Sequence, residues 1–273
     1  MMTKAILELN DTKPIILIDG SYYVFYRYFA TMRWFSFQKK EFEIESITNN
    51  QEFIESFIKH LESDLKKICK KWKTDLKNIV FCTDCQRCKI WRNDIYKDYK
   101  ASRVQNANFN GNIFNIFYEH LNKLEIKKIW FERLEADDII YLVQNKLKKM
   151  CDTKIVIITN DNDYLQLADK NIIIMNMQLK DITLRGTQNA RCDLHCKAIY
   201  GDKSDNIQKI ASFITKDSAK NLSHLNDEDL KKWLNDNGLM DRFQFNMNLI
   251  SFEHIPIEYV KQFYDHVQIG LIH

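Results

Sequence analysis

Two short acidic runs carry the strongest chemical signal in this sequence. Glu135, Asp137 and Asp138 stand at the start of a predicted helix, while Asp161 and Asp163 directly follow an apolar run. Carboxylates gathered this closely raise one another's pKa and repel each other unless a positive charge neutralises them. Hard divalent cations with oxygen ligands are the usual neutralising groups in proteins. The two runs therefore predict a site for Mg²⁺ or Mn²⁺.

The elements that would position these carboxylates are apolar strands alternating with helices. Ile15 to Ile18 form a continuous β-branched and apolar run, which is typical of a parallel strand covered on both faces. Similar runs predict four more strands, and apolar residues spaced three to four apart predict helices between them. The predicted strands are 15–18, 78–84, 128–131, 154–159 and 171–175, and the predicted helices are 22–34, 52–72, 109–124 and 136–150, with a mostly helical tail from 191.

This alternation predicts an α/β fold with a central, mostly parallel twisted sheet flanked by helices and a helical C-terminal region. Ligands of such sheets bind at the carboxyl ends of the strands. A helix cap or a turn is the simpler explanation for any one of the aspartates taken alone. It does not explain the whole set, because distant carboxylates would converge on one edge. They are Asp19, Asp84, Glu135, Asp161 and Asp163.

Composition places the chain among ordinary globular proteins. Its 273 residues are 45% hydrophobic and 28% charged, which excludes disordered and membrane classes. No apolar run reaches the ~18–20 residues that span a bilayer, and the N-terminus lacks a signal-peptide pattern. Seven scattered cysteines fit a reducing compartment. We therefore expect an intracellular protein, with cytoplasm and nucleus not distinguished, and a net charge of +3 that is too small to indicate a partner.

A basic segment between 89 and 104 is interleaved with aromatic residues. Its cations could contact phosphates while its rings stack on exposed bases, which is how proteins bind single-stranded nucleic acids. A solvated helix face with aromatic anchors explains the same pattern, so both interpretations stay open. The residues are Lys89, Trp91, Arg92, Tyr96, Lys97, Tyr99, Lys100 and Arg103.

A structural zinc site is an alternative use for the cysteines. The spacing of three of them, and a later group with a histidine, resembles metal-ligand spacing. However, Cys82 lies inside a predicted strand, and buried free thiols explain most of these residues. The candidate ligands are Cys82, Cys85, Cys88, Cys192, His195 and Cys196.

Five sequence blocks together resemble the 5′-nuclease superfamily, which includes flap endonucleases, 5′–3′ exonucleases, the nuclease domain of bacterial DNA polymerase I, and relatives from phages and large DNA viruses. The blocks cover roughly residues 15–210 in the family's order, and their combination is far more specific than any one of them. They are 18–21 (IDGS), 99–103 (YKASR), 134–138 (LEADD), 159–167 (TNDNDYLQL) and 197–207 (KAIYGDKSDNI).

The resemblance implies a metal-dependent DNA 5′-nuclease of the PIN-like fold, with 5′–3′ exonuclease and flap endonuclease activity in DNA replication or repair. It implies that Lys100 and Arg103 reach the scissile phosphate from a basic helical gateway at about 89–122, and that Arg92 and Tyr99 contact DNA beside them. The expected partners of a monomer are DNA 5′ ends, flaps and nicks, with RNA–DNA primers left open. Two or more Mg²⁺ or Mn²⁺ ions would be held by Asp19, Asp84, Glu135, Asp137, Asp138, Asp161, Asp163, Asp202 and Asp205.

The resemblance also suggests a nuclease core at 1–180 and a helical DNA-binding region at 181–273. In the family, the block that ends at Ile207 opens a helical hairpin with a glycine-rich turn. Residues 208–216 contain neither glycine nor proline, and other residues rarely adopt a positive φ. We therefore expect a degenerate hairpin. Arg27 stands one residue later than the corresponding family arginine and is assigned no role.

Three other functions fit parts of the sequence. The altered hairpin favours a non-catalytic DNA-binding relative, whereas the full carboxylate set argues against one. A small ribonuclease of a related metal-nuclease fold would not require the long basic segment or the late pair Asp202 and Asp205. A phosphatase with an Asp nucleophile would have a second Asp two residues after Asp19, where this chain has Ser21.

Overall fold

The computed structural model of this protein describes residues 5–38, 43–104 and 106–272. Within these residues no helix is long and apolar enough to cross a bilayer. The strands are β1 (Ala5–Asn10), β2 (Ile15–Asp19), β3 (Ile79–Thr83), β4 (Lys127–Trp130), β5 (Ile155–Ile158), β6 (Ile172–Met175) and β7 (Val267–Ile272). The α-helices are α1 (Gly20–Phe37), α2 (Gln51–Trp72), α3 (Arg92–Ile95), α4 (Ile113–Lys123), α5 (Ala136–Met150), α6 (Ala190–Tyr200), α7 (Lys216–Ser223), α8 (Asp227–Asp236), α9 (Met240–Ile250) and α10 (Ile257–His266).

The central sheet has five parallel strands in the order β4, β3, β2, β5, β6. Successive strand residues point to opposite faces. In β2, Ile15 and Leu17 therefore join one core, while Ile16 and Ile18 join the other, and all four are fully buried. The predicted α/β class with a doubly covered parallel sheet is confirmed.

Amphipathic helices cover both faces of this sheet. α5 packs Ile139 and Val143 into one core, and α2 packs Phe57 into the other. α2 begins where the Asn50 side chain accepts a hydrogen bond from the Phe53 amide (3.0 Å), a typical helix cap. The sequence predicts the bounds of α5 correctly.

The helix predicted over 109–124 starts four residues late, at Ile113. The Asn110 amide group donates to the carbonyl oxygens of Ile44 (3.0 Å) and Glu45 (2.9 Å), and its Oδ1 accepts from the Asn112 amide (3.0 Å). These side-chain bonds compete with helical bonding, so the chain turns before α4 begins.

No sequence pattern predicts the second sheet, in which β1 pairs in parallel with β7. α10 and β7 place Phe263 and Val267 in the same core as α5. The residues after 250 thus pack with the central sheet. By contrast, α6 to α9 build a third core that includes Ile90 and Tyr99, next to the basic segment.

Candidate metal centre

Three adjacent strands deliver acidic residues to one edge of the sheet. Asp19 ends β2, Asp84 follows β3 and Asp161 follows β5, and these strands are neighbours. Together with Glu135 and Asp137 they line a cleft of about 1250 Å³. We call these five residues the cleft group. Their convergence is the outcome that the parallel topology predicts.

Glu135 and Asp137 come from the N-terminal end of α5. Glu135 is the N-cap residue and forms a capping box with Asp138, whose Oδ2 accepts a bond from the Glu135 amide (3.1 Å). The Ala136 amide donates to Oδ1 of Asp84 (2.7 Å), which links the start of α5 to the end of β3. The unpaired amides of a helix N-terminus favour negative charge at this position.

In three members of the cleft group, burial and neighbouring carboxylates outweigh the effect of nearby positive charge. Desolvation, with a contribution from Asp84, raises the pKa of Asp19 to about 7. Desolvation also raises the pKa of Asp84, with Glu135 adding to the effect, and that of Asp137, with Asp138 adding to it. A raised carboxyl pKa means that the ionised form is disfavoured where it stands. Such oxygen donors fit a hard divalent cation, which would stabilise their ionised forms.

Glu135 differs from its neighbours because cations surround it. It is paired with Lys100, and it accepts bonds from Nη1 of Arg92 (2.9 Å) and Oη of Tyr99 (3.1 Å). Although burial acts to raise it, Lys100 and Arg92 lower the pKa of Glu135 to about 2. Glu135 is therefore ionised throughout the neutral range.

A second acidic group lies beside the cleft group. Asp163, Asp202 and Asp205 each offer a carboxylate oxygen within 4.8 Å of the others, and we call them the loop group. Lys197 pairs with Asp163 and with Asp202 (Nζ to Oδ2, 2.7 Å), and Arg103 pairs with Asp205. Burial acts to raise the pKa of Asp202, but Lys197 lowers it to about 2. Cations of the protein itself thus neutralise most of the loop group.

The loop that carries Asp202 and Asp205 depends on a glycine. Gly201 has a φ of 78°, and a Cβ there would lie 2.5 Å from the carbonyl oxygen of Ile207. Two backbone bonds between Asp202 and Ile207 (2.8 and 2.7 Å) close the loop. A side chain at 201 would push the backbone at Asp202 away from Ile207. Gly201 therefore fixes the positions of both carboxylates.

The cysteines belong to neither acidic group. In the part of the chain that the structure describes, no cluster of three metal-ligating side chains contains a cysteine. Cys82 is buried in β3, and Sγ of Cys192 lies 3.6 Å from Nδ1 of His224. All seven cysteines are free, and three of them, Cys82, Cys85 and Cys192, are buried.

Residues 14–193 match the family described as "5′-3′ exonuclease, N-terminal resolvase-like domain". This match covers more than half of the chain. The chain belongs to the 5′–3′ exonuclease family. The nuclease class that the sequence blocks predict is confirmed.

Three curated proteins are similar to this chain over most of its length. The chain is 31% identical over 220 residues to a 5′-3′ exonuclease of Mycoplasmopsis pulmonis, covering 78% of this chain and 67% of that protein. It is 30% identical over 200 residues to a 5′-3′ exonuclease of Buchnera aphidicola subsp. Acyrthosiphon pisum, covering 71% and 64%. Over 225 residues it is 27% identical to the ribonuclease H of Enterobacteria phage T4, covering 74% and 73%. The chain spans about two thirds of the length of the two exonucleases.

Solved structures share the fold of this exonuclease. The bacteriophage T5 flap endonuclease, in a pseudo-enzyme–product complex with DNA and metal ions, has a TM-score of 0.62 at 17% identity and covers 93% of this chain and 97% of that one. The T5 5′-exonuclease with bound zinc has a TM-score of 0.59 at 16% identity, covering 93% and 99%. These likenesses confirm the predicted architecture.

Two residues that the sequence predicts to contact DNA are buried in this exonuclease. Arg92 is only 1% exposed, because Nη2 contacts Asp138 (2.8 Å), Nη1 contacts Glu135 (2.9 Å) and Nε donates to the carbonyl oxygen of Leu249 (2.8 Å). Tyr99 is 5% exposed, with its hydroxyl directed at Glu135. Both side chains hold carboxylates in place, and their contact with DNA stays a prediction.

Asp138 is also fully buried and does not line the cleft. Its oxygens accept bonds from Nε1 of Trp91 (2.9 Å), from both Nη atoms of Arg92 and from the Glu135 amide. One of its oxygens still lies within 4.8 Å of oxygens of Glu135 and Asp137. Asp138 orients Arg92 and the start of α5, and its role as a metal ligand stays a prediction.

Lys100 and Arg103 reach the cleft from a turn, not from a helix. Within the described residues of 89–122, α-helix is confined to α3 and α4. Lys100 has a φ of 57° and is 8% exposed, whereas the Arg103 side chain is 45% exposed. Both line the cleft, so they meet the carboxylates without a continuous helical gateway.

Sequence reasoning overlooks Lys197 and the aromatic side chains of the cleft. Lys197 precedes Asp202 by five residues in one of the family blocks, and that spacing was the only available signal. The aromatic side chains come from separate elements, so no local pattern marks them. They are Tyr22, Phe25, Phe109, Phe114, Tyr118, Trp130 and Tyr164.

Proposed function

We propose that this protein is a divalent-metal-dependent DNA 5′-nuclease, with 5′–3′ exonuclease and flap endonuclease activity in DNA replication or repair. The observation that carries the proposal is the cleft group, five carboxylates from four separate segments that share one cleft with Lys100 and Arg103. A site that combines hard oxygen ligands with cations suits phosphodiester hydrolysis, because negative charge grows on the phosphate during the reaction. Family membership supports the same function.

We propose Mg²⁺ or Mn²⁺ as the cofactor, with two or more ions. The cleft group, with Asp138 as a further candidate ligand beside Glu135 and Asp137, would hold one ion, and the loop group would hold another. The pKa of Asp19, raised to about 7, supports an ion in the cleft group. When bound, such ions lower the pKa of a water molecule and stabilise the leaving oxygen of a phosphodiester.

Lys100 and Arg103 are the catalytic cations of this proposal. Nζ of Lys100 is paired with Glu135 and lies 3.8 Å from Oδ2 of Asp205, so the ammonium stands between the two acidic groups. A phosphate in the cleft would be a further anion within its reach, and Lys100 would offset the charge that develops there. Arg103 is more exposed, and its forked guanidinium suits an incoming phosphate.

Arg92, Tyr99 and Asp138 are positioning residues in this proposal. Their contacts fix Glu135 at the start of α5, and α5 in turn holds Asp137 in the cleft. None of the three needs to touch the substrate. Their effect on cleavage would pass through the geometry of the carboxylates.

We also propose that 1–180 forms the nuclease core and that 181–273 contacts duplex DNA in a monomeric enzyme. The core built by α6 to α9 includes Ile90 and Tyr99, so a duplex on this region would lie close to the cleft. The described backbone of 208–216 has no positive φ. Side chains would therefore replace the close backbone approach that a glycine-rich turn permits.

The test is cleavage of a 5′-labelled flap duplex by the purified protein with Mg²⁺, with Mn²⁺ and with excess chelator. Asp137→Asn removes one cleft carboxylate while keeping the side-chain volume. Asp152→Asn is the matched control, because Asp152 is exposed and does not line the cleft. The proposal requires metal-dependent cleavage that survives in the control and is lost with Asp137→Asn.

Two further measurements distinguish the alternative functions. Binding of the flap duplex without cleavage under either metal would instead indicate a non-catalytic DNA-binding relative. A flap made of ribonucleotides tests RNA–DNA primers as substrates, an arm suggested by the likeness to the phage T4 protein named ribonuclease H. Cleavage of both flaps would extend the substrate class to RNA.

A further inference from the structure

One short segment carries a member of each acidic group. The 3₁₀ helix Asn162–Leu167 follows β5, and Asp161 is its N-cap residue. Asp161 belongs to the cleft group and Asp163 to the loop group, and the Asp163 amide donates to Oδ1 of Asp161 (3.0 Å). Because two residues of one turn belong to different groups, the position of this helix sets the distance between the groups.

A 3₁₀ helix of six residues needs support from outside. Its hydrogen bonds are poorly aligned, so runs of more than three or four residues are uncommon. Here the support comes from Gln166, a half-buried residue of the same helix. Its Nε2 donates back to the carbonyl oxygen of Asp163 (3.0 Å).

The amide group of Gln166 is also bonded to the end of α9. Its Nε2 donates to the carbonyl oxygen of Ile250 (3.2 Å), and its Oε1 accepts from the Phe252 amide (3.2 Å). Both amide hydrogens and the carbonyl oxygen of Gln166 therefore have partners, so the group cannot rotate without losing bonds. This one side chain joins the segment of Asp163 to α9.

α9 holds the other half of the loop group as well. Asn246, a fully buried residue of this helix, donates from Nδ2 to the carbonyl oxygens of Ala198 and Gln208 (2.8 Å each). These two residues flank the loop that carries Asp202 and Asp205. α9 therefore holds the loop group from both sides, through Gln166 on one and through Asn246 on the other.

The end of α9 reaches the cleft group too. The carbonyl oxygen of Leu249 accepts from Nε of Arg92 (2.8 Å), and Arg92 contacts Glu135 and Asp138. Residues 246–252 are thus hydrogen-bonded to the supports of both acidic groups. A shared support fixes the distance between possible metal ligands, and residues that orient ligands contribute to metal affinity without touching the ion.

We propose that Gln166 is a positioning residue, which holds Asp163 at the distance from Asp202 at which the loop group binds a divalent ion. This inference deepens the proposed nuclease function and rests on it. Gln166 does not line the cleft, so its effect passes through Asp163. Mg²⁺ requires nearly octahedral geometry with oxygens at about 2.1 Å. A small displacement of one carboxylate therefore weakens the site.

The ion pairs of Lys197 do not supply this geometry. Lys197 pairs with both Asp163 and Asp202, but a lysine is a flexible chain that ends in a rotatable ammonium group. Its pairs persist over a range of carboxylate positions. Lys197 thus supplies charge to the loop group, whereas Gln166 and Asn246 fix its backbone.

Binding of Mn²⁺ without DNA tests the proposal directly. Mn²⁺ is titrated into the metal-free wild type and into Gln166→Met, and the unbound ion is measured by electron paramagnetic resonance. One class of site should bind about tenfold more weakly in the variant, the usual order for losing a partner that orients a ligand, and the other should be unchanged. Gln166→Asn keeps an amide on a shorter chain and should lose less.

Gln244→Met is the matched control for the loss of an amide. Gln244 lies on the same helix, is exposed, and donates from Nε2 to Oδ1 of Asn248 (3.1 Å). Its bond does not reach the segment of either acidic group. The control should therefore bind Mn²⁺ as the wild type does, and an equal loss of affinity in Gln244→Met and Gln166→Met would overturn the proposal.

Asp202→Asn shows which site Gln166 supports. This change removes a carboxylate of the loop group, so the site that remains is that of the cleft group. Adding Gln166→Met to Asp202→Asn should leave the affinity of the remaining site unchanged, because the two changes act on the same ion. A further loss of about tenfold in the double variant would assign Gln166 to the cleft group or to the fold as a whole, and would overturn the proposal.

Amide hydrogen exchange in excess chelator tests the contacts without metal. Gln166→Met should speed exchange in 162–167 while exchange in β2 and β3 stays slow, which also shows that the variant is folded. Unchanged exchange in 162–167 would overturn the proposal. Faster exchange with unchanged Mn²⁺ affinity would also overturn it, because Gln166 would then have a structural role alone.

The failure of this inference is distinct from the failure of the proposed function. A wild type that binds no Mn²⁺ rejects the metal-dependent nuclease and the positioning role with it. Mn²⁺ binding that Gln166→Met leaves unchanged rejects the positioning role alone. Flap cleavage adds a further readout: Gln166→Met should cleave poorly at low Mn²⁺ and recover at about tenfold higher Mn²⁺, whereas a defect that Mn²⁺ does not reverse would contradict an effect on metal affinity.

Discussion

The cleft group and the loop group are both clusters of carboxylates, yet their charge is balanced in opposite ways. In the cleft group, the pKa of Asp19 is raised to about 7, and those of Asp84 and Asp137 are raised as well. In the loop group, Lys197 lowers the pKa of Asp202 to about 2 against the effect of burial, and Arg103 pairs with Asp205. In the cleft group, Lys100 and Arg92 pair with Glu135 and leave the three aspartates with raised pKa values, whereas in the loop group the cations pair with the aspartates themselves.

This difference shows that acidic residues alone do not define a cation site. A divalent ion gains most where ionised carboxylates have no other partner. Where a lysine stands among the carboxylates, the ion competes with that lysine. The comparison therefore predicts that the cleft group binds a divalent ion more strongly than the loop group does. It also predicts that removing a charge from each group changes the stability of the metal-free protein in opposite directions.

The largest expected effect is on cleavage by Asp137→Asn. Loss of a cleft carboxylate should lower the rate about a thousandfold, or about 4 kcal/mol of transition-state stabilisation. The metal-free variant should unfold at the same or a higher urea concentration than the wild type, since one repulsive charge is gone. Single-turnover cleavage and urea denaturation in chelator measure the two. A variant that loses activity by losing stability would contradict the assignment.

Arg92→Met is expected to have the largest effect on stability. Arg92 is buried with Glu135 and Asp138, and removing one partner of a buried ion pair costs about 3–5 kcal/mol because the remaining charge is left uncompensated. Urea denaturation in chelator measures the loss. Arg103→Met is the matched comparison, because its ion pair with Asp205 is partly exposed and contributes about 1 kcal/mol or less. Equal losses in the two variants would show that Arg92 is not the internal support of the cleft group.

The sequence predicts most of the sheet and the positions of the cleft carboxylates. Runs such as Ile15 to Ile18 are apolar on both faces, and a doubly covered parallel strand is the arrangement that buries both. Once the strands are known, their carboxyl ends locate Asp19 and Asp161. The pairing of β1 with β7 is not predictable in this way, because the two strands lie at opposite ends of the described chain and neither has a marked local pattern.

Side-chain direction in the basic segment could not be predicted from sequence. A pattern of alternating cations and rings does not reveal that Arg92 turns inward to Asp138 while Arg103 stays at the rim. That choice depends on carboxylates more than thirty residues away in the sequence. The open rings of the cleft, such as Trp130, are likewise brought together only by the folded chain.

Lys197→Met should produce a smaller effect that metal reverses. Without the ammonium, Asp163 and Asp202 face each other unpaired, and this should cost the metal-free protein about 1–3 kcal/mol, between the values for exposed and buried ion pairs. Added Mg²⁺ should restore more stability to this variant than to the wild type, because an ion can take the place of the lysine charge. Urea denaturation with and without Mg²⁺ measures both.

The control for this variant is Lys148→Met. Lys148 pairs with Asp169 on the surface, where both side chains are more than a third exposed, so its loss should cost about 0.5 kcal/mol and Mg²⁺ should not restore it. If Mg²⁺ stabilises Lys197→Met no more than wild type, the loop group does not accept an ion, and the second metal of the proposed function would have to lie elsewhere.

The smallest expected effect is the pH dependence of stability in the metal-free protein. The pKa of Asp19 is about 7 in the folded state and 3.8 in an unfolded chain, so between these values the folded state holds more protons. Stability from this group is therefore present below pH 4 and is lost as pH rises towards 7. Glu135 acts in the opposite sense: its pKa of about 2 against 4.5 gives stability above pH 4.5 that is lost only in stronger acid. Between pH 5 and 8 the cleft aspartates decide the sign.

In excess chelator, the free energy of unfolding should thus fall by on the order of 1–2 kcal/mol from pH 5 to pH 8, after allowance for solvent in the cleft. Asp19→Asn removes the titrating group and should flatten this fall, which separates it from every other ionisable residue. Mg²⁺ should stabilise the wild type more at pH 8 than at pH 5, because bound metal requires the ionised carboxylate. If the free energy of unfolding changes with pH equally in wild type and Asp19→Asn, the charge of Asp19 is already neutralised in the folded protein. The proposed difference between the cleft group and the loop group would then be wrong for Asp19.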